Sequence, residues 1–183
     1  DTCCDRDWSS DVCSSALAER SALIAQESGA TSHNSLAALL ESANIITIVV
    51  PTVDHFSVAQ VCINAGKHVF IEKPMCETVE EADTLLELAE KKGVQIHVGH
   101  IERLNPALVA LNGIELAPRY IETHRLAPYT VRGTDVPVVL DLMIHDLDVI
   151  ISLVKSPVKS VNASGVSIMT DSVDIANARI TFE

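Results

Sequence analysis

Residues 45–74 read IITIVVPTVDHFSVAQVCINAGKHVFIEKP. Ile45–Val50 is a β-branched, almost wholly apolar run, which suits a strand covered on both faces in a parallel sheet. Pro51 ends it. Asp54 is placed to cap a helix running to about Ala65, and Gly66 closes it. Lys67–Glu72 is the next strand, stopped by Pro74. Downstream, Thr78 and Glu81 form a T-x-x-E capping box. Ala82, Leu85, Leu86 and Ala89 then share one apolar helical face. Lys91–Lys92 complement the helix dipole in the last turn, Gly93 follows, and Val94–Val98 is a further strand. Upstream, residues 18–28 read as a helix ended by Gly29, and 35–42 as a second short helix. Strand–helix–strand units with short links predict a parallel sheet with right-handed crossovers.

After about residue 100 the pattern changes. Residues 118–127 read as a strand, Pro137–Val154 as a long apolar helix, and 158–169 and 174–183 as strands. The expected fold class is α/β: a partial Rossmann-type parallel sheet, then a truncated α+β domain with a mainly antiparallel sheet. We expect a partial dinucleotide-binding domain over 18–112 and the second domain over 113–183, with the boundary between 100 and 115.

The chain has 183 residues, 48% hydrophobic and 21% charged, enough for a packed core. Its net charge of −12 argues against a nucleic-acid surface and against a polybasic membrane contact. No apolar run approaches the ~20 residues of a membrane span. Five cysteines without zinc spacing or a CxxC suggest a reducing, cytoplasmic protein.

Residues 1–17 stand apart, with three of those cysteines and the single Trp. Residues 7–17, DWSSDVCSSAL, differ only at Ala16 from a common sequencing adapter translated in one frame. Biological sequence is therefore expected to begin near Ala18. The competing reading ends a strand at CCDRD, with Asp5 on a ribose.

Three clusters have chemistry to offer. Lys73, at the carboxyl end of a parallel strand and extended by Pro74, is placed to hydrogen-bond a substrate oxygen or shift a neighbour's pKa; the plain alternative is an exposed strand-end lysine. Asp141 and His145, four apart, share a helix face that Asp148 and Ser152 extend. His145 suits a general base that Asp141 orients; the alternative is a structural His–Asp pair. Thr52 and His55, just past a strand end, either line a cofactor cleft or cap the helix. His97, His100, Arg103 and Asn105 gather at the last parallel strand. Residues three apart on a strand face opposite sides, so His97 and His100 make a poor metal site. No G-x-G-x-x-G turn is visible.

The ordered set VPTxxH, AGKHVFIEKP and DxxxHD resembles the Gfo/Idh/MocA (glucose–fructose oxidoreductase / inositol dehydrogenase) family. Residues 45–106 are similar to the second half of its nucleotide-binding domain, and 118–183 to the start of its substrate domain. The resemblance implies an NAD- or NADP-dependent oxidoreductase with Lys73, Asp141 and His145 as the catalytic set. It implies cofactor contacts at Thr52, His55, Glu72 and Pro74, with a cis bond before Pro74, and substrate contacts at His100, Arg103 and Asn105. VGHIERLNPA, HRLAPYTVRGTDVPVVLDLMIHDLD and TDSVDIANARI are most similar to a branch acting on the 3-position of UDP-N-acetyl-sugars. The implied partners are a sugar or nucleotide-sugar and, through the second sheet, further copies of the protein. The first βαβ unit with its glycine-rich loop is missing from this pattern, so the fragment itself is expected to turn over poorly or not at all.

Overall fold

The computed structural model describes residues 12–13, 18–128 and 136–183. The chain divides into two compact units, 1–99 and 100–183. Residues 100–112 thus belong to the second unit.

In the first unit, β1 (Val12–Cys13) pairs in parallel with β2 (Thr31–Ser32). The rest of the 1–17 segment lies outside the described residues. Between β1 and the main sheet come α1 (Ala18–Ser28) and α2 (Leu36–Ser42), the latter capped by the Ser35 hydroxyl on the Ala38 N–H. The main sheet is parallel, in the order β3 (Ile45–Ile48), β4 (His68–Ile71), β5 (Ile96–Val98). Two crossover helices, α3 (Thr52–Asn64) and α4 (Val79–Lys92), connect these strands.

β3 is not covered on both faces. Ile46 and Ile48 are buried, whereas Ile45 is 67% exposed. The strand order advances in one direction, so two right-handed crossovers place both helices on the same face. α3 and α4 pack on each other there. Ala59, Cys62 and Ile63 of α3 and Leu85 and Ala89 of α4 close over Ile46, Ile48, Val69 and Ile71. Burial of the Cys62 and Cys76 thiols pushes both up to about 11.

Two helix starts differ in detail from the sequence pattern. α3 begins at Thr52, with Pro51 at the N-cap, so Asp54 sits inside the first turn and does not cap it. Its carboxylate still complements the helix N-terminus. At α4, Thr78 Oγ1 accepts from the Glu81 N–H at 3.2 Å, but Glu81 Oε2 reaches back to the Glu77 N–H rather than to Thr78. The helix ends at Gly93 in the left-handed region, φ 67°, where a side chain would be strained.

The second unit opens with a 3₁₀ turn (Ile101–Leu104) and α5 (Pro106–Val109). The strand expected over 118–127 is absent: that stretch has no regular structure. Among the described residues, the two strands of this unit, β6 (Val158–Val166) and β7 (Ile175–Phe182), pair antiparallel and only with each other. The expected single helix is a π-helical segment (Val139–Met143) running into α6 (Ile144–Val154). An apolar cleft of about 490 Å³ lies between this helix and the sheet, lined by Met143, Leu147, Ile151, Val161, Ala178 and Ile180.

The β6–β7 connection is organised by Asp174. Its carboxylate accepts from the Ile168, Met169 and Thr170 N–H groups and from the Thr170 hydroxyl. These donors hold its pKa well below the usual carboxylate range. A depressed folded-state pKa stabilises the loop above the ordinary carboxylate pKa, and the effect is lost as pH falls through the lowered value.

Two outcomes follow. Thr78→Ala costs about 1 kcal/mol, read as a lower midpoint in denaturant with an unchanged slope. Asp174→Asn accelerates amide exchange at Ile168, Met169 and Thr170, while amides in the main sheet keep their rates.

Candidate active site

The parallel register brings the carboxyl ends of β3, β4 and β5 to one edge. Thr52 leaves that edge after β3, Glu72–Lys73–Pro74 after β4 and Gly99 after β5. Thr52, Glu72 and Lys73 are half-buried, and the Lys73–Pro74 peptide is cis.

His55 is placed differently from the expected cleft-lining residue. It is 1% exposed. Its Nδ1 lies 2.8 Å from the Pro74 carbonyl oxygen and its Nε2 3.0 Å from that of Val50. Both oxygens only accept, so each bond takes a ring N–H: the doubly protonated ring makes both ties and a neutral ring makes one. Neither nitrogen is left for a ligand. His55 ties the loop after β3 to the loop after β4. Pro74 is likewise buried.

Glu72 completes this edge. Its Oε2 accepts from the Lys73 N–H at 3.3 Å, and its carboxylate lies against Gly99. Sequence reading did not single out Gly99.

In the second unit, Asp141 lies inside the π segment and His145 in the first turn of α6. Their four-residue spacing spans the junction of the π segment and α6. His145, Asp148 and Ser152 do follow α-helical spacing on α6. Asp148 is 9% exposed. Arg103 grips it with both prongs, Nε to Oδ2 at 2.6 Å and Nη2 to Oδ1. That bond raises the Arg103 pKa further. His100 Nδ1 is buried without a hydrogen-bond partner among the described residues, 3.9 Å from Asp148 Oδ1.

Arg103, expected near substrate, therefore spends its fork on a buried carboxylate. Asn105 is similarly occupied: Oδ1 caps α5 at the Ala107 N–H, 3.0 Å away, and Nδ2 donates to Glu102. Asp146 receives a second fork, from Arg125 Nε and Nη2, both at 3.0 Å, with Glu102 3.7 Å from Nη1. Arg125 is another residue that sequence reading passed over, since its partner is 21 positions away.

The strand-end polar groups suit part of a dinucleotide site. Thr52, Glu72 and Lys73 offer a hydroxyl, a carboxylate and an ammonium at the edge where open α/β sheets bind ligands. The glycine-rich loop that cradles a pyrophosphate has no counterpart in these 183 residues.

Residues 5–100 match the family described as Oxidoreductase family, NAD-binding Rossmann fold. The chain belongs to this Gfo/Idh/MocA oxidoreductase family. It is 42% identical over 165 residues to UDP-N-acetylglucosamine 3-dehydrogenase of Acidithiobacillus ferrooxidans, covering 90% of this chain and 53% of that protein. A solved structure of UDP-N-acetylglucosamine 3-dehydrogenase from the same organism superposes with a TM-score of 0.85 at 42% identity, over 92% of this chain and 56% of that one. Similarity to scyllo-inositol 2-dehydrogenase (NADP⁺) of Bacillus subtilis is 42% over 59 residues, 32% of this chain and 16% of that protein. The chain thus spans about half the length of the first of these relatives, and less of the second. The family's Rossmann description agrees with the parallel β3–β4–β5 sheet and its crossover helices.

If Arg103 is a strut for Asp148, Arg103→Ala strands a buried carboxylate. Unfolding by urea then shows a loss of about 1.5–3 kcal/mol. Unchanged stability would return Arg103 to the ligand-binding set.

Proposed function

We propose that the protein carrying this chain is an NAD(P)-dependent dehydrogenase oxidising the 3-hydroxyl of a UDP-N-acetyl-sugar. One observation carries the reading: 42% identity over 90% of the chain to a UDP-N-acetylglucosamine 3-dehydrogenase. A match of that extent necessarily runs from residue 73 through residue 145. Likeness to inositol dehydrogenases is either shorter, 42% identical over 32% of the chain, or weaker, 28% identical over 68% of it, which favours the nucleotide-sugar over a free cyclitol. A purely structural relative would have no need of Lys73 and His145, and both are present.

When bound, an NAD(P) cofactor would supply the acceptor for the hydride of the sugar carbon. Thr52 and Glu72 hold the cofactor at the strand ends. Lys73 donates a hydrogen bond to the substrate oxygen, favouring negative charge on it. His145 accepts the hydroxyl proton, a role suited to an imidazole near neutral pH. Asp141 orients that imidazole or the sugar. The free Cys62 and Cys76 thiols support a reducing, cytoplasmic setting. Among the described residues, no helix is long and apolar enough to cross a membrane. Self-association is assigned to the second-unit sheet, where β6 is exposed along its length.

Steady-state kinetics with UDP-N-acetylglucosamine, N-acetylglucosamine and a free cyclitol test the reading. Turnover is expected with the first alone, and equal turnover without the UDP group overturns it. His145→Ala and Lys73→Ala each lower kcat by about 10²–10⁴-fold while cofactor binding, read by fluorescence titration, is retained. Unchanged kcat in both removes these residues from the mechanism.

A further inference from the structure

Gly99 extends the β4–β5 ladder beyond β5, its N–H donating to the Ile71 carbonyl at 2.8 Å. It is buried, and it is not among the residues with positive φ. Its backbone conformation is one that any L-residue adopts, so conformation does not explain a glycine here. Space does. A Cβ at this position would lie 2.9 Å from Glu72 Oε2, 3.1 Å from Cδ and 3.2 Å from Oε1. Its three nearest neighbours would all belong to one carboxylate group.

That carboxylate has a partner that matters. Its Oε2 accepts the Lys73 N–H, so the peptide leading into Lys73 is held by the side chain of the preceding residue. The residue after Lys73 is held from another element, through His55 and the Pro74 carbonyl.

We propose that Gly99 is a positioning residue for Lys73: the missing side chain at 99 seats the Glu72 carboxylate across the end of β5, and the seated carboxylate fixes the Lys73 peptide. The role of Lys73 in turnover rests on the dehydrogenase reading above; the seating itself does not.

The contact falls on the tip of a flexible side chain. A methyl group at 99 therefore displaces the carboxylate at little cost to the fold, while the Lys73 N–H loses its bond to Glu72 Oε2. This separates positioning from general structural damage.

The test compares wild type, Gly99→Ala, Glu72→Ala and the double variant, in the protein that carries this chain. Thermal midpoints of Gly99→Ala and wild type are expected to agree. The Lys73 amide should exchange faster in each single variant, and kcat should fall about 10–100-fold in Gly99→Ala, the scale of a misplaced reacting group. In the Glu72→Ala background, adding Gly99→Ala should change kcat by less than about 2-fold, because the two act through one contact. Independent, multiplying losses overturn the proposal. So does collapse of the fold in Gly99→Ala, or an unchanged Lys73 amide. A wild type without turnover defeats the dehydrogenase reading alone, and amide exchange in this chain still decides the role of Gly99.

Discussion

Hydrogen bonding along both edges of β4 is the constraint on which the first unit depends. A one-residue slip would turn Val69 and Ile71, 2% and 0% exposed, out of the core. Each buries roughly 1.5–3 kcal/mol of side chain, so the register is held by packing rather than by the ladder alone. The register in turn decides where the strand ends stop. Glu72 N donates to the Ile48 carbonyl and Gly99 N to that of Ile71, so three loops leave the sheet at one level. The place of Lys73 is thus a consequence of Val69 and Ile71 being buried on α3 and α4.

In the second unit the organising terms are ionic. Asp148 is its one buried residue among those described, and it is a carboxylate. Taking that charge out of water is costly unless it is paired and hydrogen-bonded. The Arg103 fork offsets the cost and fixes the 3₁₀ turn to α6. Arg125 does the same for the irregular stretch that contains it, joining that stretch to Asp146 of the same helix, a carboxylate more exposed than Asp148. A stretch without a strand partner is held by a side-chain fork instead. The apolar residues lining the cleft beside α6 set no comparable geometry, since none is fully buried.

Much of the first unit was legible in sequence because its signals are local. Thr78 caps by hydroxyl, Gly93 stops a helix through its own φ, and β-branched runs form strands. What was not legible depends on partners. The run around Tyr120 has strand-like composition, but a strand exists only where another backbone accepts its ladder. The π turn at Val139–Met143 adds a residue to the i→i+4 pattern inside VVLDLM, where apolar residues on all sides hide any change of phase. Ile45 looks like a two-sided core residue, and its exposure follows from crossover direction rather than from the residue itself.

At the site, sequence identified residue types but not their employment. His55, Arg103 and Asn105 are polar groups close to strand ends or turns, the usual credentials of ligand contacts. Donors and acceptors show part of that employment: His55 turns both ring nitrogens to carbonyl oxygens within the fold, Arg103 gives Nε and Nη2 to Asp148, and Asn105 gives Oδ1 to the Ala107 N–H. The glycines divide in the same way. Gly66 and Gly93 are glycine because φ is positive, and nothing lies within 4 Å of the Cβ they lack. Gly99 and Gly165 have ordinary φ, and a Cβ would strike a side chain, Glu72 in one case and Val173 in the other. In the letters of the sequence the two kinds are identical. Gly165 makes room for an apolar side chain within the β6–β7 hairpin, a packing matter. Gly99 makes room for a carboxylate that accepts from Lys73, and so a missing side chain on β5's end becomes part of how β4's end is presented.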